Sequence, residues 1–198
     1  MKITLEFLPT VVFVIVMLCW FVFAGIFIFR KKPPNAPDQK RDRASIPGVA
    51  LQGLAYAMVW SVHRRFFSPL VAGVEWLEFL AAAIAIVAAS GSVFLIMNAV
   101  KALGKEWSIT ARMIQDHELA TKGPYARVRH PIYTGMLGML IATGLAISHW
   151  MALVAAVVLF AIGTLIRVRV EERLLRETFG QRFEEYALQV PAVIPGIF

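Results

Sequence analysis

Long apolar runs separated by short, densely charged interruptions set the pattern of this chain, and the run lengths predict its elements. A helix rises about 1.5 Å per residue, so crossing a hydrocarbon core of about 30 Å takes about 20 residues. Residues 7–29 are 23 positions without charge and predict a first spanning helix. "RKKPPNAPDQKRDR" (30–43) stops it with charge and three prolines. Residues 44–62, 19 uncharged positions, predict a second helix, closed by "HRR" at 63–65. Residues 66–78 are mixed and suit the interface, and 79–100 give a third span of 22 residues.

The polar section 101–130 is too charged to enter lipid, and 131–166 then run for 36 residues without Asp, Glu, Lys or Arg. Roughly 54 Å of helix is far more than one crossing needs. "SHW" (148–150) is the natural turn, so the stretch divides into antiparallel helices at about 132–147 and 150–166. A charged, helix-prone tail follows. Five spans result, and the positive-inside rule orients them. The 30–43 loop carries six Lys or Arg and 101–130 carries six more, against two in 63–65 and none in 148–150. With the N-terminus outside, both basic loops and the tail face the cytoplasm.

Composition agrees. The 198 residues are 59% hydrophobic and 17% charged, against roughly 25% charged in soluble domains. The predicted class is an all-α integral membrane protein. The net charge of +7 sits at the ends of apolar runs, which indicates lipid headgroups as partners rather than nucleic acid. One cysteine, Cys19, supports neither a disulfide framework nor a cysteine-based zinc site, and no metal-binding motif is found. The first run is longer than the 7–15-residue core of a signal peptide and reads as a retained membrane helix.

Two segments on the predicted cytoplasmic face can meet both a water-soluble cosubstrate and a lipid-borne one, 107–135 and 167–195. In the first, His117 precedes "ELATKGPY", and Gly123-Pro124 turns the chain before Tyr125. Arg127, Arg129 and His130 then lead into Pro131, which is compatible with a first helical turn. The unsatisfied N–H groups of that turn carry partial positive charge, and Tyr133 and Gly135 lie close behind. Two readings remain open here: interfacial anchors at a helix start, or a cosubstrate site. In the second segment Arg167 and Glu171 share a helix face at spacing i, i+4, as do Glu172 and Arg176. Arg173, Arg176, Arg182, Glu184 and Glu185 read as the surface of an amphipathic helix. Arg167 and Glu171 sit right at the membrane exit and are functional candidates. There is no Rossmann fingerprint or P-loop, and no nucleophile elbow.

"HELATKGPYARVRHPIYTG" followed by "RVEERLLRETFGQRFEEYALQVPAVIP" resembles the isoprenylcysteine carboxyl methyltransferase and phospholipid methyltransferase superfamily, with several motifs recurring in order over about 100–198. The resemblance implies a methyltransferase region at 101–198 behind N-terminal membrane helices at 1–100. It further implies S-adenosylmethionine as methyl donor in a cytosolic pocket capped by the C-terminal helical tail. Carried over by position, His117, Glu118, Leu119, Ala120 and Tyr125 would line the donor pocket. His130, Pro131, Ile132 and Tyr133 would surround its methionine portion, and Glu171 would bind its ammonium or ribose side. Arg167 would face the methyl acceptor, which makes Arg167, Glu171 and His130 the implied catalytic set. Ala120 stands where the family usually has Val, and Phe183 where it has Tyr. Phe94 falls near a position that is arginine in the eukaryotic prenylcysteine enzymes.

The implied acceptor is lipophilic, a prenylated cysteine carboxylate or a lipid. A carboxylate is already a nucleophile and needs positioning and desolvation rather than a base. A phospholipid amine must first lose a proton, to His130 or Glu171 at best. Two other classes compete with methyl transfer, an NADPH-dependent sterol-type reductase and a non-enzymatic scaffold or small permease. The Glu171-Glu172 pair counts against the former, and polar residues concentrated at one membrane face against the latter. No motif for a particular oligomer stands out.

Overall fold

The computed structural model describes residues 3–29, 38–41, 43–65, 67–69, 73–104, 112–114 and 119–194. Five main helices lie where the apolar runs predict them: α1 (Ile3–Ile28), α2 (Ile46–Ser61), α3 (Glu75–Leu103), α4 (Pro131–Ile147) and α5 (Trp150–Phe179), with a short α6 (Gln181–Gln189) after them. The all-α class holds with one addition. Asp38–Arg41 (β1) pairs antiparallel with Arg112–Ile114 (β2), tying the two basic loops together at one end of the bundle.

Among the described residues, three helices are long and apolar enough to cross a membrane: Phe7–Ile28, Glu75–Leu103 and Trp150–Phe179. The other two expected spans are shorter, 16 residues in α2 and 17 in α4. At about 1.5 Å per residue they reach roughly 24–26 Å, just under a hydrocarbon core of about 30 Å. For α4 the packing explains the short length, because it touches α1, α2, α3 and α5 and forms the centre of the bundle. One apolar core joins α4 to α1 and α3 through Val16, Ala85, Ala89, Ile96, Met139 and Ala142. A second joins it to α2 and α5 through Ala55, Val59, Leu140, Ala156 and Phe160. The outer faces carry large exposed apolar side chains such as Phe21, Phe79, Phe94 and Val154, as a lipid-facing surface requires.

Lipid is as apolar as leucine, so helices in it associate by close packing and hydrogen bonds rather than by hydrophobicity. Both devices are present. Gly48 of α2 meets Gly163 of α5 so closely that a Cβ on Gly48 would lie 2.6 Å from the Gly163 carbonyl oxygen. Trp20 Nε1 donates to Thr143 Oγ1 (2.9 Å), and the Tyr56 hydroxyl donates to the Met136 carbonyl (2.7 Å). At the end away from the basic loops, Arg64 donates to the carbonyls of Leu145, Ala146 and Ser148 at 2.8–3.0 Å. It thereby caps the carbonyls at the C-terminus of α4 that have no partner within the helix. At the opposite end α5 continues past its uncharged stretch and stops at Gly180, whose φ of 54° turns the chain into α6.

Candidate active site

Every polar group of interest lies where α4 begins and α5 leaves its apolar stretch. His130 is the residue before α4, with Pro131 at the first helical position. A single 3-10 turn, Gly123–Ala126, brings the chain to it and buries Tyr125. Across from them α5 presents Arg167, Glu171 and Glu172.

Glu171 is the meeting point. Its Oε1 accepts the Tyr133 hydroxyl and lies 3.5 Å from Arg167 Nη2, and its Oε2 lies 3.4 Å from His130 Nδ1. The Arg167 guanidinium stacks over the Tyr133 ring at 4.7 Å, and the His130 and Tyr133 rings stack at 5.7 Å. Four residues expected at the site are thus in mutual contact. Arg167, His130 and Tyr133 are buried, while the Glu171 side chain keeps 23% of its surface open. The cluster therefore shows its surroundings one carboxylate, backed by cations and aromatic faces.

Glu172 is adjacent in sequence and faces about 100° around the helix. Its Oε1 takes Arg129 Nε and Nη2, each at 2.9 Å, and His130 Nε2 at 3.3 Å, while Oε2 takes Arg176 at 3.2 Å. Both ring nitrogens of His130 thus face carboxylates, and only the imidazolium can donate to both. Burial alone would lower the His130 pKa, but the hydrogen bonds and charges of Glu171 and Glu172 outweigh it and raise it. Burial also raises the Tyr125 phenol, with Glu171 and Tyr186 adding to the effect. The Tyr186 phenol, likewise raised by burial, reaches about 12.

The tail packs across the start of α4 beside the cluster. Backbone N–H groups of Arg129 and His130 donate to the carbonyls of Pro191 (2.9 Å) and Ala192 (2.8 Å), and Thr134 Oγ1 donates to Val193. Arg129 Nη1 donates to the carbonyls of Ala187 (2.9 Å) and Val190, and the Tyr186 hydroxyl donates to the Tyr125 carbonyl (2.6 Å). Phe183, where a tyrosine was expected by resemblance, is fully buried with Arg176 over its ring at 5.3 Å.

Among the remaining expected residues, Pro131 is fully buried at the helix start. Ile132 packs towards the α1–α3 core instead of joining the polar cluster. Leu119 and Ala120 are half-buried. His117 and Glu118 lie outside the described residues. Arg127 is exposed, whereas Arg129 is largely buried in an ion pair with Glu172. Four participants were not read from the sequence: Glu172 as a buried hub, Arg129 as the tail's clamp, and Gln52 with Thr164 beside Arg167. The spacing places Glu172 and Arg176 on one helix face. That pair exists, but the carboxylate is buried. A doublet of glutamates at a membrane exit was the available signal, since adjacent helical positions point about 100° apart.

The profile of the phospholipid methyltransferase family matches residues 79–182. Over 87 residues the chain is 32% identical to protein-S-isoprenylcysteine O-methyltransferase B of Arabidopsis thaliana, covering 44% of each chain. Over 105 residues it is 31% identical to protein-S-isoprenylcysteine O-methyltransferase of Schizosaccharomyces pombe, covering 52% of this chain and 44% of that one. Over 86 residues it is 36% identical to cobalt-zinc-cadmium resistance protein CzcN of Cupriavidus metallidurans, covering 41% of this chain and 37% of that one. The chain spans less than half the length of each of these relatives.

Proposed function

The chain belongs to the phospholipid methyltransferase family, and from that premise we propose that it methylates a lipophilic acceptor at the cytoplasmic membrane surface, with S-adenosylmethionine as donor. The observation that carries the proposal is the cluster of His130, Tyr133, Arg167 and Glu171, in which Glu171 is the open member. Its chemistry fits a donor with a sulfonium and an ammonium. The open carboxylate of Glu171 suits the ammonium, and the aromatic face of Tyr125 suits a soft cation. When bound, the donor supplies a methyl group on positively charged sulfur, open to in-line attack.

The chain's own residues then do four things. Glu171 holds the donor's cationic end, kept in place by the Tyr133 hydroxyl and His130. Tail residues 190–193 lie across the start of α4 and keep water from the reacting centre. Arg167 orients the acceptor, sharing its charge between Glu171 and an incoming carboxylate. Burial among Tyr133 and the apolar ends of α2 and α5 strips that carboxylate of water, which raises its nucleophilicity. The N-terminal helices 1–100 act as scaffold for the methyltransferase region 101–198. We assign the acceptor to the isoprenylcysteine type, a carboxylate on a prenylated cysteine, because Arg167 gives the site a cation for a carboxylate and the site needs no general base for it.

The test is calorimetric titration of the purified protein with S-adenosylmethionine, followed by transfer of labelled methyl to a prenylated cysteine or to phosphatidylethanolamine vesicles. Binding weakened at least tenfold in Glu171→Ala and His130→Ala, with labelling of the prenylated cysteine, is the expected result. Labelling of phosphatidylethanolamine instead would move the acceptor to the amine class. Binding that is absent, or unchanged in both variants, would overturn the site.

A further inference from the structure

Gln52 lies in the second turn of α2, outside the family-matched residues 79–182, and it is almost fully buried. A buried amide in an apolar helix is unfavourable unless its hydrogen bonds are met, and such residues in membrane helices are commonly functional. Its Oε1 accepts from Arg167 Nη1 at 3.0 Å, and its Nε2 donates to Thr164 Oγ1 at 2.9 Å. Arg167 can only donate, so it fixes which end of the amide faces it, and Thr164 accepts from the other end. The approach depends on Gly48 and Gly163, since a Cβ on Gly48 would lie 2.5 Å from Arg167 Cγ.

The geometry points to Gln52 as a positioning residue that aims Arg167 at the methyl acceptor. This rests on the reading of Arg167 as the acceptor's partner. The chemistry of the contact favours that role over simple charge pairing. A glutamate at 52 would hold the guanidinium but neutralise it. A neutral amide satisfies one N–H and leaves the positive charge for an incoming anion. The other anchors are compatible with this. The Tyr133 ring covers one face of the guanidinium, and the Glu171 contact at 3.5 Å is long beside the 2.7–2.9 Å of a charge-assisted hydrogen bond. Residues of α2, α4 and α5 therefore fix the direction of Arg167 without consuming its charge.

The test uses the full chain in detergent micelles with 15N-arginine labelling, and Gln52→Leu and Gln52→Glu variants. Arg167 resonances are assigned by their loss in Arg167→Lys. In the native protein the two Nη groups of Arg167 give separate signals because their rotation is restrained. They merge in Gln52→Leu and stay separate in Gln52→Glu. With a prenylated cysteine as acceptor, KM for the acceptor rises about tenfold in both variants, while the Kd for S-adenosylmethionine stays within twofold. A merely structural Gln52 would lower the melting temperature and the amount of active protein without splitting acceptor KM from donor Kd. Unmerged signals in Gln52→Leu, or equal losses in both constants, would overturn the proposal. Merged signals in a protein that methylates neither acceptor would keep the tether and refute the methyltransferase reading instead.

Discussion

Arg127 and Arg129 are two residues apart in one basic stretch, and the structure gives them opposite roles that can be measured. Arg127 is exposed. Arg129 puts three of its donors on Glu172 and Ala187 at 2.9 Å and reaches the Val190 carbonyl as well. Removing one member of a buried ion pair costs about 3–5 kcal/mol. Arg129→Met should fall at the lower end, about 3 kcal/mol, because Glu172 keeps Arg176 and His130 as partners. For a protein of this size that corresponds to a fall in melting temperature of roughly 6–12 °C. Arg127→Met, at an exposed position, should stay within about 0.5 kcal/mol.

The assay that separates the two is thermal unfolding in detergent combined with amide hydrogen exchange over 185–194. Arg129 holds the tail, so its loss should raise exchange there by about a hundredfold, well beyond any change in α3. Equal and small effects from Arg127→Met and Arg129→Met would refute the assignment and return both residues to headgroup anchoring.

Three further outcomes follow from the same coordinates. The His130 pKa is raised above its ordinary 6.5, so its ion pairs stabilise the fold fully below that value and are lost as pH climbs through the raised one. Melting temperature should therefore fall from pH 6.5 upward in the native protein, more steeply than in His130→Gln, and parallel profiles would remove His130 from the network. Arg64→Ala strips the C-terminus of α4 of three hydrogen bonds and should cost about 2 kcal/mol. Its methyl transfer per folded molecule should be unchanged because Arg64 sits at the far end of the bundle, and lost activity in fully folded protein would contradict that placement. Gly48→Val should destabilise by about 1–3 kcal/mol through overpacking against Gly163 and Arg167, whereas Gly53→Ala, with nothing within 4 Å of its Cβ, should be neutral or slightly stabilising. Equal stability of the two variants would show that α2 and α5 are not in close contact.

What could be read from sequence and what could not divides along a physical line. Apolar run length is a local property, so the five helices and the turn at 148–150 were legible, α3 starting only four residues before the expected span. Segment order and charge placement brought 119–135 and 167–194 to one end, and the polar cluster of His130, Tyr133, Arg167 and Glu171 is found there. Partner choice is not local. Arg129 and Arg127 have the same side chain and nearly the same neighbours in sequence, and only the path of residues 187–193 distinguishes them. Glu171 and Glu172 likewise differ only in the direction each faces, about 100° apart, one towards the open cluster and the other towards the tail clamp. Gln52 shows the limit most clearly. Gln52 is a lone amide in an apolar helix, and its partner is 115 residues away. The contact exists because two glycines, Gly48 and Gly163, let the backbones approach. A motif confined to 101–198 cannot contain that information, so the site's geometry depends on a helix that the family's motifs do not include.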